Sequence, residues 1–216
     1  CAPFENVYTL ALRGLHDRAM NASNDMADRK QMLQDALMAQ RKMLIDATGK
    51  RGEDIPQAFT PYKEVLDVYD EGLELPDDVT IIWPDDKLCY MKRLSSPKEQ
   101  KRSGRSGVYY HSSYLGKPHD HLWMNTTSPT LMYEELRKAY DMTADRIWLL
   151  NAGDIKSCEF AVDFFLSMAY DIDSFDFDRA ATYRTEWLCG MLGDEYRNEY
   201  QDVINSFYKL AFARRP

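Results

Sequence analysis

The chain has 216 residues, 44% of them hydrophobic, which is enough to build a core and argues against wholesale disorder. Its formal net charge of −8 argues against broad binding to nucleic acid or to an anionic membrane, because both need a basic surface. No apolar run approaches the length that crosses a bilayer, and the opening stretch CAPFENVYTL lacks the basic and long apolar regions of a secretory signal. The expectation is either a cytoplasmic protein or a chain that begins after its targeting segment.

Taken in chain order, the pattern alternates between short apolar runs and amphipathic helices. Tyr8 to Leu12 suits a buried strand and ends in Arg13-Gly14. The capping residues Asn21 to Asn24 then precede a helix from about Asp25 to Ala47. Met26, Leu33, Leu37 and Leu44 fall on one face of it, and Met32, Ala36 and Met43 widen the stripe. The run from Thr48 to Gly52 stops that helix. Gln57 to Thr60 is a brief strand, and Pro61 opens a helix running to Glu71. The β-branched run Val79 to Trp83 is the clearest strand of the first half. Ser95 to Gln100 carries a helix start with Pro97 at its first position, and Val108 to His111 is the fourth strand. A helix over Tyr133 to Tyr140, a strand over Arg146 to Leu150 and a helix over Cys158 to Tyr170 complete five strand–helix units. Ala180 to Leu192 and Glu195 to Ala213 read as two further helices joined by Gly193-Asp194. Strands apolar on both faces and separated by helices predict an α/β fold with a covered parallel sheet. The pattern alone does not decide between a doubly wound sheet and part of an eight-strand barrel.

In such folds the chemistry sits where strands end and run into helices. The five runs end in Arg13, His16 and Asp17; in Tyr62 and Lys63; in Trp83, Asp85 and Asp86; in His111 and Tyr114; and in Asn151, Asp154, Lys156 and Glu159. Carboxylates, flat aromatic faces and hydroxyl-binding amides suit sugar chemistry, and Arg, Lys or His suit a uronate carboxylate. Each residue also has a plainer reading. Asp85 and Asp86 could cap the next helix, His111 could be a bonded core histidine, Glu159 could favour a helix N-terminus, and Lys156 could be a solvated surface lysine.

Four cysteines, Cys1, Cys89, Cys158 and Cys189, stand far apart with no metal-binding spacing and are expected as free thiols. His119 and His121 read as polar loop, so neither metal nor cofactor is expected. A nucleotide-binding sheet is disfavoured, because no glycine-rich loop follows the first strand.

Five motifs stand in order: Arg13 to Asp17, Trp83-Pro84-Asp85-Asp86, Ser106 to His111, Gly116 to Asp120, and Arg146 to Lys156. Together they resemble the catalytic barrel of the family 115 glycoside hydrolases over nearly the whole chain. The resemblance implies a partial (β/α)8 barrel of about five units, residues 1–177, followed by a helical segment, residues 178–216. It implies removal of glucuronic acid or its 4-O-methyl ether from xylan by an inverting, two-carboxylate mechanism. Glu159, Asp85, Asp86 and Asp154 are then the catalytic candidates. Arg13, His16, Asp17, Lys63, Trp83, His111, Tyr114, Asn151 and Lys156 are the substrate-binding candidates. The expected partner is a glucuronate-bearing xylan oligosaccharide or polysaccharide, with a second copy or the rest of the barrel completing the fold. The resemblance also implies a secreted or periplasmic setting.

Two departures bear on activity. The family's early strands, one ending in an Asn-Asp-Glu type motif, have no counterpart here, so the chain is expected to be a fragment. Where the family has Asn-aromatic-Gly after the paired aspartates, this chain has Lys87-Leu88-Cys89: a cation replaces the amide, and Leu and Cys tolerate a left-handed backbone poorly. The alternative function is a non-catalytic relative that binds acidic sugar or is inactive.

Overall fold

A computed structural model describes residues 4–15, 18–20, 25–113 and 125–213. Among them are five strands and six α-helices in an α/β arrangement. The strands are β1 (Tyr8–Thr9), β2 (Gln57–Phe59), β3 (Thr80–Pro84), β4 (Ser106–His111) and β5 (Trp148–Asn151). The helices are α1 (Met26–Thr48), α2 (Glu64–Asp70), α3 (Pro129–Asp141), α4 (Ile155–Tyr170), α5 (Phe177–Leu192) and α6 (Arg197–Ala213). The sheet order is β1-β2-β3-β4-β5, a half-barrel succession in which α-helices link successive strands except β3 and β4. The chain divides into two compact units.

The first unit is Cys1–Pro84 with Leu94–Gly107 and Met142–Ile147. Its longest helix obeys its sequence closely. The Asp25 side chain accepts the Ala27 N–H at 2.8 Å, and Gly49 ends α1 in the left-handed conformation at φ 67°. Leu33 and Leu37 are fully buried with Leu10, Phe59, Val65 and Val68. Met32 and Met43, expected in the stripe, are 42% and 67% exposed, so the buried face is narrower than the periodicity implied. β1 is only two residues long, although Leu10 N–H still donates to Ala58 O at 2.8 Å beyond its end. In place of the helix expected over Ser95 to Gln100, a 3₁₀ turn forms at Glu99–Lys101. Ser96 N–H donates to Glu99 Oε2 at 2.6 Å and Glu99 N–H to Ser96 Oγ at 3.4 Å, a reciprocal cap that satisfies this short turn. Gly107 is required because a Cβ there would lie 2.0 Å from Ile147 O.

The second unit is Asp85–Arg93 with Val108–Asp141 and Trp148–Pro216. β4 and β5 pair in parallel from Val108 opposite Trp148 to His111 opposite Asn151. Tyr110 stacks on Phe165 of α4 with centroids 6.4 Å apart, and Phe164 packs edge-on to Phe175 and Tyr183. Arg184 of α5 lies over the rings of Phe160, Phe207 and Tyr208 and donates to Tyr208 Oη at 2.6 Å, tying α6 to α5. β5 is the outer strand of the order, and Leu149 on it is 43% exposed. Cys89, Cys158 and Cys189 are buried free thiols. No helix among the described residues is long and apolar enough to cross a membrane.

Candidate functional site

The chain leaves β3 into Asp85, and the next strand ends at His111. Asp85 N–H donates to Tyr109 O at 3.1 Å, which sets the aspartate beside the end of β4. Its carboxylate then meets His111 twice. Asp85 Oδ1 lies 2.5 Å from His111 Nδ1, and Asp85 Oδ2 accepts the His111 backbone N–H at 2.8 Å. The carboxylate is wholly enclosed and the imidazole side chain is 4% exposed. Burial pushes the Asp85 carboxyl above the ordinary aspartate range, while its hydrogen bonds with His111 pull the other way. Fixing Nδ1 on a carboxylate sets the orientation of the imidazole ring.

The pair continues into the next strand. The His111 ring rests on Tyr109 with centroids 4.6 Å apart, and Tyr109 Oη accepts from Asn151 Nδ2 at 2.9 Å. Asp85, His111, Tyr109 and Asn151 thus form one connected cluster. Beyond β5, Gly153 takes φ 61°, and a Cβ on it would sit 2.8 Å from Ser113 Oγ. Only glycine lets the β5 loop lie that close to the end of β4.

The adjacent Asp86 does a different job. Its Oδ1 accepts the N–H groups of Leu88 and Tyr90 at 2.7 and 3.0 Å, and Lys92 pairs with Oδ2 at 3.3 Å. It caps the loop that follows β3. The plainer reading of the sequence therefore describes Asp86, with a loop turn in place of a helix. Within that loop Cys89 takes φ 68°, the left-handed conformation that costs a non-glycine residue about 1 kcal/mol or more. The family's glycine pattern had pointed to this position.

Glu159 lies in the first part of α4 with its side chain 38% exposed, paired with Lys156 at 3.1 Å. Its own backbone N–H and the Lys156 ammonium hold its carboxyl below the ordinary glutamate range. The Lys156 side chain is fully exposed. Asp154 is the exposed residue preceding α4 and makes no side-chain cap there.

Trp83 requires a correction. It is 0% exposed, its Nε1–H donates to Ser95 Oγ at 2.9 Å, and Tyr69 packs edge-on against it. The ring has no open face for a sugar and serves as core. Its position just before the polar residues hid this, because β3 is buried on both faces.

In the first unit, Arg13 makes a two-pronged pair with Glu64 at 3.2 and 3.0 Å and lies over the Tyr62 ring. Lys63 is exposed, stands at φ 53°, and places its ammonium 5.0 Å from the same ring's centroid. His16, Asp17 and Tyr114 lie outside the described residues, as do His119 and His121. Among the described residues no group of three His, Cys, Asp or Glu could hold a metal ion.

Two members of the neighbourhood were not singled out from sequence. Tyr109 sits inside a strand motif and carried no signal of its own. Glu135 of α3 is buried, accepts Met91 N–H at 2.5 Å and pairs with Lys138 at 2.6 Å. Its signal was a carboxylate on the apolar face formed by Met132, Leu136 and Ala139.

The sequence matches the family described as Glycosyl hydrolase family 115 over residues 1–216. A comparison with curated proteins finds no match. A solved structure described as a novel family GH115 4-O-methyl-α-glucuronidase, BtGH115A, with specificity for decorated arabinogalactans, superposes with a TM-score of 0.91 at 39% identity. The match covers 98% of this chain and 28% of that one.

Proposed function

The chain belongs to glycosyl hydrolase family 115, and from that premise we propose that it carries part of an α-glucuronidase site. The reaction is removal of glucuronic acid, or its 4-O-methyl ether, from xylan or a comparably decorated polysaccharide. A polysaccharide substrate places the working protein outside the cytoplasm. The observation that carries the reading is the enclosed Asp85–His111 pair at the ends of β3 and β4, continuous with Tyr109 and Asn151.

In an inverting scheme one acid protonates the leaving oxygen and one carboxylate activates water. Asp85 has both oxygens on His111, so it enters the chemistry through the imidazole it orients, and the pair stands on the acid side. Glu159, with its carboxyl held low, stays ionised and suits the base side. Asn151 and Tyr109 supply hydroxyl-binding groups. Lys156, with its side chain fully exposed, is the cation offered to the uronate carboxylate.

The test is release of glucuronate from aldouronic acids and from glucuronate-decorated arabinogalactan. His111→Gln and Glu159→Ala should each abolish release, and unchanged release from Glu159→Ala would remove it from the base role. A second reading, glucuronate binding without hydrolysis, draws on the complete enclosure of the Asp85 carboxylate. Calorimetric binding of glucuronate with no release would select it.

A further inference from the structure

The loop between β3 and the 3₁₀ turn is fastened more heavily than a surface connection needs. Cys89 N–H donates to Asp86 O at 3.0 Å, and the left-handed backbone at Cys89 turns the chain back toward β4. There Tyr110 Oη–H donates to Cys89 O at 3.1 Å. The Cys89 thiol, 1% exposed, lies 3.5 Å from His111 O and 3.0 Å from Thr127 Oγ1. One turn further, Met91 N–H is held by the buried Glu135 carboxylate.

We propose that Cys89 is a positioning residue for the Asp85–His111 pair. The same loop grips both sides of the His111 peptide: Asp85 takes its N–H, and the Cys89 thiol donates to its carbonyl. Held at both ends, the backbone of His111 fixes the ring against Asp85 Oδ1. The left-handed conformation is retained without a glycine because a glycine has no thiol to make that contact. This inference deepens the proposed function and rests on the reading of Asp85–His111 as the working pair.

The experiment is nitrogen-15 NMR of the full chain, following the His111 Nδ1–H resonance and its titration, with His111→Gln assigning it among four histidines. Cys89→Ala and Cys89→Gly should shift that resonance or lose it through faster solvent exchange. Cys89→Ser, whose hydroxyl can still donate, should restore it. Thermal melts establish that each variant is folded, and the contrast of Cys89→Gly with Cys89→Ser carries the test should Cys89→Ala not fold. A folded Cys89→Ala and Cys89→Gly with the wild-type resonance and titration midpoint would overturn the proposal, since a purely backbone role predicts that result. Absence of the resonance from the wild-type chain would overturn it as well. The readout needs no substrate, so a chain with a responsive His111 signal and no glucuronate release would reject the enzymatic reading and leave the positioning role standing.

Discussion

His111 Nδ1 lies 2.5 Å from Asp85 Oδ1, although the two residues are 26 positions apart and come from the ends of different strands. The backbone N–H of the same histidine meets the other carboxylate oxygen at 2.8 Å. A single enclosed carboxylate therefore fixes both the strand end and the ring it carries.

Asp85→Ala should be strongly destabilising. Removing one partner of a buried, hydrogen-bonded pair leaves the other unsatisfied, at a cost of about 3–5 kcal/mol. For a chain of this length that is a fall in melting temperature of roughly 6–20 °C. Thermal unfolding followed by circular dichroism measures it. A variant that melts with the wild type would mean that the pair does not form.

The same carboxyl sets a pH dependence. Its folded pKa is raised by burial, so the fold favours its protonated form. That contribution is fully present below the unfolded value, about 3.9, and is lost as pH rises through the folded value. Urea unfolding at successive pH values should show wild-type stability declining relative to Asp85→Asn across this window. A difference that grew in favour of the wild type would contradict the direction of the shift.

Trp83→Phe and Trp83→Ala separate a core residue from a sugar platform. The Ala variant empties a fully buried site and should cost about 3–5 kcal/mol. The Phe variant keeps most of the volume but loses the bond to Ser95, a loss of about 1 kcal/mol. Glucuronate affinity of the folded Phe variant, measured by calorimetry, should equal that of the wild type.

Glu159→Gln offers the opposite combination. The side chain is exposed enough that its pairing with Lys156 adds little to stability, so the melting temperature should barely move at neutral pH. Glucuronate release should fall by about a hundredfold or more, as expected when a catalytic base loses its charge. Lys156→Met with Glu159 intact should raise KM and leave kcat largely unchanged; an equal fall in kcat would instead locate the effect in the cation.

Local chemistry made much of this protein legible in its sequence. The cap at Asp25, the left-handed stop at Gly49 and the strand–helix alternation follow from backbone rules acting within a few residues. The five motifs carry the family, and the departure at Cys89 marks a left-handed position. Tertiary structure decided the rest, because burial and long-range partners are not local properties. Two neighbouring aspartates, indistinguishable in sequence, diverge because Asp85 meets His111 while Asp86 meets the amides of its own loop. Trp83 becomes core because both faces of β3 are covered, and Glu159 is held low first by its own backbone N–H and then by a lysine one helical turn away. Local order along the chain determines which groups stand near the strand ends; only packing determines which of them are enclosed, which are paired, and which still face water.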